Sequence, residues 1–409
     1  MDLIPTLMQY KWVIIFYALL FLIIYLNRKK FEFQGKIIAV YRTKLGIALM
    51  EKLGKKYGEL IKILGYIAIG VGFLGMFVIL FMIGFSLYLF FNGLITTGQA
   101  PVTLAPVVPG IPIPDSPLQL PLIEGFLSIF IVVVIHEGSH GIVAVANRLK
   151  IKNTGYIQFG PIAGAFVEPD EKTLTKQSDV VQYSIFAAGP FSNILTAIVA
   201  LLLFSFVMAP ITNSMTEPNG FTFIGIQADQ PAAHAGLKPG VVYNTVNNKT
   251  ITNNADFVRM IQCAVPGTIF YIANENYTYK LVSIPNPNEP ERAYLGISCY
   301  SSSDSIKCVD TAYSKKPSVN SIKYAIVTWF ADVLKLVYIL SLGVGLINLL
   351  PLGPVDGGRM FQLSAVRIFG KDKGTSIWGK ISIILLIILL VLLLPVLKSI
   401  LVAIIGLFG

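Results

Sequence analysis

The chain has 409 residues, of which 54% are hydrophobic and only 13% charged. That balance excludes an ordinary soluble globular protein and describes a polytopic membrane protein with room for one soluble module. The formal net charge of +10 does not point to nucleic acid, because the basic residues gather beside apolar spans and no phosphate-cradling glycine loop or basic-aromatic platform accompanies them.

Six spanning helices are predicted, at 9–26, 63–91, 121–147, 181–209, 323–350 and 376–408. Each is long enough for the roughly 20 residues a bilayer requires. The N-terminal run has no positive charge before Lys11, so it reads as an anchor and not as a cleavable signal. Between the first two spans lie Arg28, Lys29, Lys30, Lys36, Arg42, Lys44, Lys52, Lys55 and Lys56, the pattern of a cytoplasmic loop facing anionic lipid. With the N-terminus outside, every basic cluster beside a span falls on the cytoplasmic side. Residues 92–120 are proline-rich and expected to be an extended outer loop.

The third span carries His136-Glu137-Gly138-Ser139-His140 within a run too apolar to be anything but membrane. Histidines at i and i+4 project from one helix face, so both imidazoles can grip one metal ion, and the glutamate between them can handle the proton of a water. Polar groups at membrane depth each cost a few kcal/mol and rarely persist without a task. Residues 156–167 then read as two short strands around Gly160-Pro161, a small β-hairpin at the membrane surface. The fourth span is broken by Gly189-Pro190-Phe191-Ser192-Asn193, where proline removes a backbone donor.

The connection 210–322 is long enough to fold alone as an α+β module outside the membrane. Strands are expected at 221–228, 241–246, 268–273 and 277–284, with a short helix at the Gln230-Pro231-Ala232-Ala233-His234 stretch and another near 254–263. The third histidine, His234, reads as a surface residue. Cys299 and Cys308 are spaced to close a disulfide loop in an oxidising compartment, a pairing that spacing alone leaves open. Two glycosylation sequons, beginning at Asn248 and Asn276, permit an outward location.

Two histidines leave zinc short of a ligand, since a catalytic site normally has three protein ligands. The best candidate for the third is Asp356 in Asn348-Leu349-Leu350-Pro351-Leu352-Gly353-Pro354-Val355-Asp356-Gly357-Gly358, where the fifth span breaks. The third and fifth spans run in the same direction, so the three groups can meet at one depth near the cytoplasmic face.

The order of these features (metal helix, kinked helix, outer module, Asp-Gly segment) resembles the site-2 protease family of intramembrane zinc metalloproteases over residues 121–360. The Pro231-Ala232-x-x-Ala235-Gly236-Leu237-x-x-Gly240 pattern resembles the PDZ domains of membrane and envelope proteases. The resemblance implies a zinc metalloendopeptidase with one Zn2+, held by His136, His140 and Asp356, with Glu137 as general base and acid. It implies Asn193 and Asn348 as substrate-binding residues, the strands at 156–167 as the hairpin that receives substrate, and transmembrane proteins in a cell membrane as substrates. Val355 departs from the leucine common in relatives. The chain then divides into two N-terminal spans (1–120), the first half of the protease core (121–209), the PDZ-like module and linker (210–322), the second core half (323–375) and a last span (376–409). Two other functions share some of these features: a metal transporter, which uses intramembrane histidine and carboxylate, and a non-catalytic scaffold built around the module.

Overall fold

The computed structural model describes residues 8, 10–35, 38–98, 100–111, 120–287, 289–298, 300–302, 305–307 and 309–408. Cys299 and Cys308 lie outside them, as do Pro112, Pro114 and Pro117 of the outer loop. The chain divides into two compact units, residues 1–206 with 330–409, and residues 207–329.

In the first unit the helices are α1 (Lys11–Leu26), α2 (Ile47–Lys56), α3 (Gly58–Thr97), α4 (Leu122–Ala146), α5 (Asp179–Leu203), α6 (Ser321–Ile347, whose first residues belong to the second unit), α7 (Asp356–Phe369) and α8 (Lys371–Phe408). Among the described residues five helices are long and apolar enough to cross a membrane, at Gly58–Thr96, Leu122–Ala146, Asp179–Met215, Ser321–Ile347 and Lys371–Val402. The first predicted span forms only the 16-residue α1. At 1.5 Å per residue it reaches about 24 Å, short of a hydrocarbon core of about 30 Å. Its apolar run gives way to Asn27 and three cations, and the helix stops there.

The core of this unit joins α3, α4, α5, α7 and α8 through Ala68, Ala144, Ala187, Leu349, Met360 and Leu392. Small residues let the backbones approach, the usual solution where lipid offers no hydrophobic drive between helices. A methyl on Gly65 of α3 would meet Ser184 of α5 at 3.1 Å, and one on Gly72 would meet Met360 at 3.0 Å and Ala187 at 3.3 Å.

The hairpin expected at 156–167 is part of a larger sheet. β1 (Glu32–Gln34), β2 (Ile38–Thr43), β3 (Ile151–Phe159) and β4 (Ile162–Pro169) form four antiparallel strands in the order β1-β2-β3-β4, with Tyr41 opposite Tyr156 and Ile157 opposite Gly164. Two strands therefore come from the basic loop, where the short run from Ile38 to Thr43 has no two-residue alternation to announce it. Arg42 of β2 reaches Glu168, 3.5 Å away on β4, and lies over the Phe166 ring. β4 is the edge strand on the side away from β2.

The second unit has its own core of Phe221, Phe223, Tyr243, Phe257 and Ile272, with the Phe221 and Phe257 rings stacked 4.1 Å apart. Thr216–Phe223 pairs with Val309–Lys315. A second sheet orders Thr278–Val282, Ile269–Ala273, Thr245–Val246 and Lys249–Thr250. Only Thr245–Val246 of the predicted 241–246 strand is regular; Tyr243 bridges to Phe221 singly. The helix Asn254–Gln262 starts at Asn253, whose side chain accepts the Asp256 N–H at 3.0 Å, an ordinary N-cap. His234 is exposed at the end of the short helix Pro231–His234, and Cys263 is an exposed free thiol.

Candidate metal centre and active site

The helical period sets the first part of the site. His136 and His140 stand one turn apart on α4, with ring centroids separated by 4.9 Å. Asp356 reaches them from the first residue of α7, 220 positions along the chain from His136. Its oxygen Oδ2 lies 3.1 Å from Nε2 of His136 and 3.4 Å from Nε2 of His140. The candidate ligand atoms of the three residues all fall within 4.8 Å of one another.

What carries Asp356 there is the reversal between α6 and α7. The Gly357 N–H donates to the Asn348 carbonyl at 2.7 Å, closing the turn. A side chain on Gly357 would lie 2.2 Å from the Leu349 backbone, so only glycine permits this approach. Backbone that leaves the helix at membrane depth must find partners within the protein, and this turn does so.

The donor set fits a zinc ion. Nδ1 of His140 sits 2.6 Å from the Ile185 carbonyl, which can only accept, so in the neutral ring the proton is on Nδ1 and the lone pair is on Nε2. That lone pair faces a carboxylate oxygen. The two electron-rich atoms repel each other. A metal ion between them would turn that repulsion into attraction, and two imidazole nitrogens with one carboxylate oxygen are a known zinc donor set.

Glu137, the next residue along α4, turns toward the sheet. Its Oε2 accepts the Val167 N–H of β4 at 3.0 Å. Val167 therefore directs its N–H away from β3, toward the open side of the edge strand, and the two-residue period gives Ala163 and Ala165 the same direction. Beside β4, Lys152 lies 2.8 Å from Asp170, and that ammonium holds the Asp170 carboxyl below the usual carboxylate range. A cavity of about 390 Å³ lies between the sheet edge and the three candidate ligands, with Glu137, Asn348 and Arg359 in its wall.

Residues 124–390 match the profile of peptidase family M50. The chain belongs to that family. The resemblance to site-2 proteases drawn from the motifs is thereby borne out, and family membership supports a metalloprotease. An uncharacterized protein of Methanocaldococcus jannaschii is 28% identical over 362 residues, covering 86% of this chain and 85% of its own length. A Clostridium acetobutylicum protein carrying the name "Putative zinc metalloprotease" is 24% identical over 308 residues, covering 61% of this chain and 88% of its own.

Of the two asparagines expected to meet substrate in this M50 protein, Asn348 does line the cavity. Asn193 does not: it is fully buried, with its amide Nδ2 3.0 Å from Nδ1 of His136. The break expected at Gly189-Pro190 does not form: α5 runs unbroken through Pro190 and brings Asn193 to a candidate ligand, outside the cavity wall. Gly189 lies inside the continuous helix Asp179–Leu203, facing both rings. A methyl there would lie 2.3 Å from Nε2 of His140 and 2.6 Å from Nε2 of His136, so its bare backbone makes the room both rings occupy. The Ile185 carbonyl and the Val167 N–H are backbone groups, which no side-chain motif announces.

Proposed function

We propose that the protein is an intramembrane zinc metalloendopeptidase of site-2 type, hydrolysing peptide bonds in the transmembrane segments of membrane-protein substrates. The observation that carries this reading is the convergence of His136, His140 and Asp356 beside Glu137, with both histidines and Glu137 on a helix apolar enough to lie in a bilayer. His136, His140 and Asp356 would hold one ion. When bound, zinc supplies Lewis acidity toward a water molecule and the scissile carbonyl.

Glu137 takes the proton of the attacking water and returns it to the leaving amine. A transmembrane helix hides its carbonyls in its own hydrogen bonds, so the substrate has to unwind first. The open edge of β4 supports this step: an unwound segment added as a further strand recovers backbone hydrogen bonds where they were lost. Glu137 already occupies one of those positions, the Val167 N–H, so the added strand meets the proton-transfer group along the same edge.

Val167→Pro removes that outward N–H without removing a bond of the β3–β4 ladder, the position where a strand tolerates proline. One hydrogen bond to a charged group is worth about 1.5–3 kcal/mol, so kcat/KM on a single-span substrate is expected to fall about tenfold to a hundredfold. Cleavage at the parent rate would remove the β4 edge from the reaction.

The active site is assigned to the cytoplasmic side of a cell membrane and the second unit to the outside. The basic clusters beside the spans support this, and the assignment depends on the helices from α3 onward, so it holds whether or not the short α1 crosses as a sixth span. The second unit is read as a PDZ-like module that admits only substrates whose outer domains have been trimmed. Removing residues 218–300 is expected to equalise cleavage of full-length and trimmed forms of one substrate; a preserved preference for the trimmed form would assign selection elsewhere.

A further inference from the structure

We propose that Asn193 is the positioning residue of the metal centre, an amide that fixes the tautomer of His136 by presenting a donor to its Nδ1 in the metal-free site and an acceptor in the loaded one. This deepens the metal-centre reading above and rests on it.

The starting observation is a mismatch between the two histidines. Nδ1 of His140 faces a carbonyl, which holds its proton on Nδ1 at all times. Nδ1 of His136 instead faces the Nδ2 of Asn193 at 3.0 Å, a donor, while Oδ1 of the same amide is buried without a hydrogen-bond partner. A donor at Nδ1 requires the lone pair there and the proton on Nε2, where it points at Asp356 Oδ2, 3.1 Å away. In that state His136 donates to the carboxylate and the site needs no cation between those two atoms. A metal ion needs the opposite tautomer, with the Nε2 lone pair free and the proton on Nδ1, and Nδ1–H then needs an acceptor.

A half-turn of the Asn193 amide supplies it. The carbonyl and amino ends of an amide are nearly the same size, so the rotation exchanges donor for acceptor without moving the surrounding atoms. It also gives the orphaned Oδ1 a partner. Neither an ionised aspartate nor a leucine offers both states as an amide does. The residue is well placed for this and poorly placed for substrate. It is fully buried, a methyl on Gly345 of α6 would come within 3.2 Å of its Cβ, and it is not in the wall of the 390 Å³ cavity.

The test uses the full-length protein in detergent and zinc competition against a chromogenic chelator, with N193D and N193L beside the parent. Aspartate keeps an acceptor for Nδ1–H, so N193D is expected to bind zinc within about threefold of the parent, whereas N193L is expected to lose about 10–100-fold in affinity. Equal losses in both variants, or parental affinity in N193L, would overturn the assignment. Should N193L fail to fold, nitrogen-15 spectra of the histidine-labelled parent decide the question, since the chain has only 3 histidines. His136 should move from the Nε2–H to the Nδ1–H tautomer on adding zinc, while His140 is Nδ1–H throughout. A His136 that is Nδ1–H before zinc is added would overturn the proposal. Failure of the parent itself to bind zinc would sink the metal centre, a separate result from equal binding by parent and N193L.

Discussion

Glu137→Gln is expected to leave zinc bound and to lower cleavage of a membrane substrate by about 10²–10⁴-fold, the range a single proton-transfer group contributes. Glutamine keeps the shape of the side chain, and its carbonyl still accepts the Val167 N–H that Glu137 accepts at 3.0 Å. The candidate ligands His136, His140 and Asp356 are untouched, so the metal content should match the parent. What the variant loses is a group able to take a proton from water. The same variant separates the competing functions. A scaffold or a metal transporter would work as well with glutamine at this position, and full cleavage by the variant would move the base elsewhere.

Gly189→Ala carries the second large effect, and it comes from a single methyl group. The added carbon would fall 2.3 Å from Nε2 of His140 and 2.6 Å from Nε2 of His136, inside contact distance of both candidate ligand atoms. Either the rings turn away or α5 backs off, and both separate the nitrogens from Asp356. Alanine is the better helix former by about 1 kcal/mol, so helix content by circular dichroism should be preserved. Zinc content is therefore expected to fall to a small fraction of the parent's, with cleavage lost in step. A variant that retained zinc and activity would show that the rings do not depend on this gap.

The parts of the site that follow helical period were legible in the sequence. Histidines at i and i+4 must share a face, and an aspartate in a Pro-Gly break of an apolar span is an expensive residue in search of a partner. The structure brings those three side chains together. The reach of the sheet was not legible, because Glu32–Gln34 and Ile38–Thr43 are short, sit among cations and show no two-residue period. Asn193 was legible as a polar residue in an apolar span, yet its direction depends on the rotation of α5, which only packing against α3, α4 and α7 fixes. Gly189 shows the same limit from the other side, since the function of a missing side chain is visible only once its neighbours are placed. The length of α1 turned on where the Asn27-Arg28-Lys29-Lys30 run stops the helix, a boundary that hydropathy places loosely.

Metal content tests the central claim most directly. Purified parent protein, His140→Ala and Asp356→Ala should be assayed together for zinc by elemental analysis after identical dialysis. The account predicts about one zinc per parent chain and nearly none in either variant, because each removes one of the three donors. Zinc retained at the parental level in Asp356→Ala would contradict it, since the carboxylate that folding brings to the two imidazoles would then hold no metal.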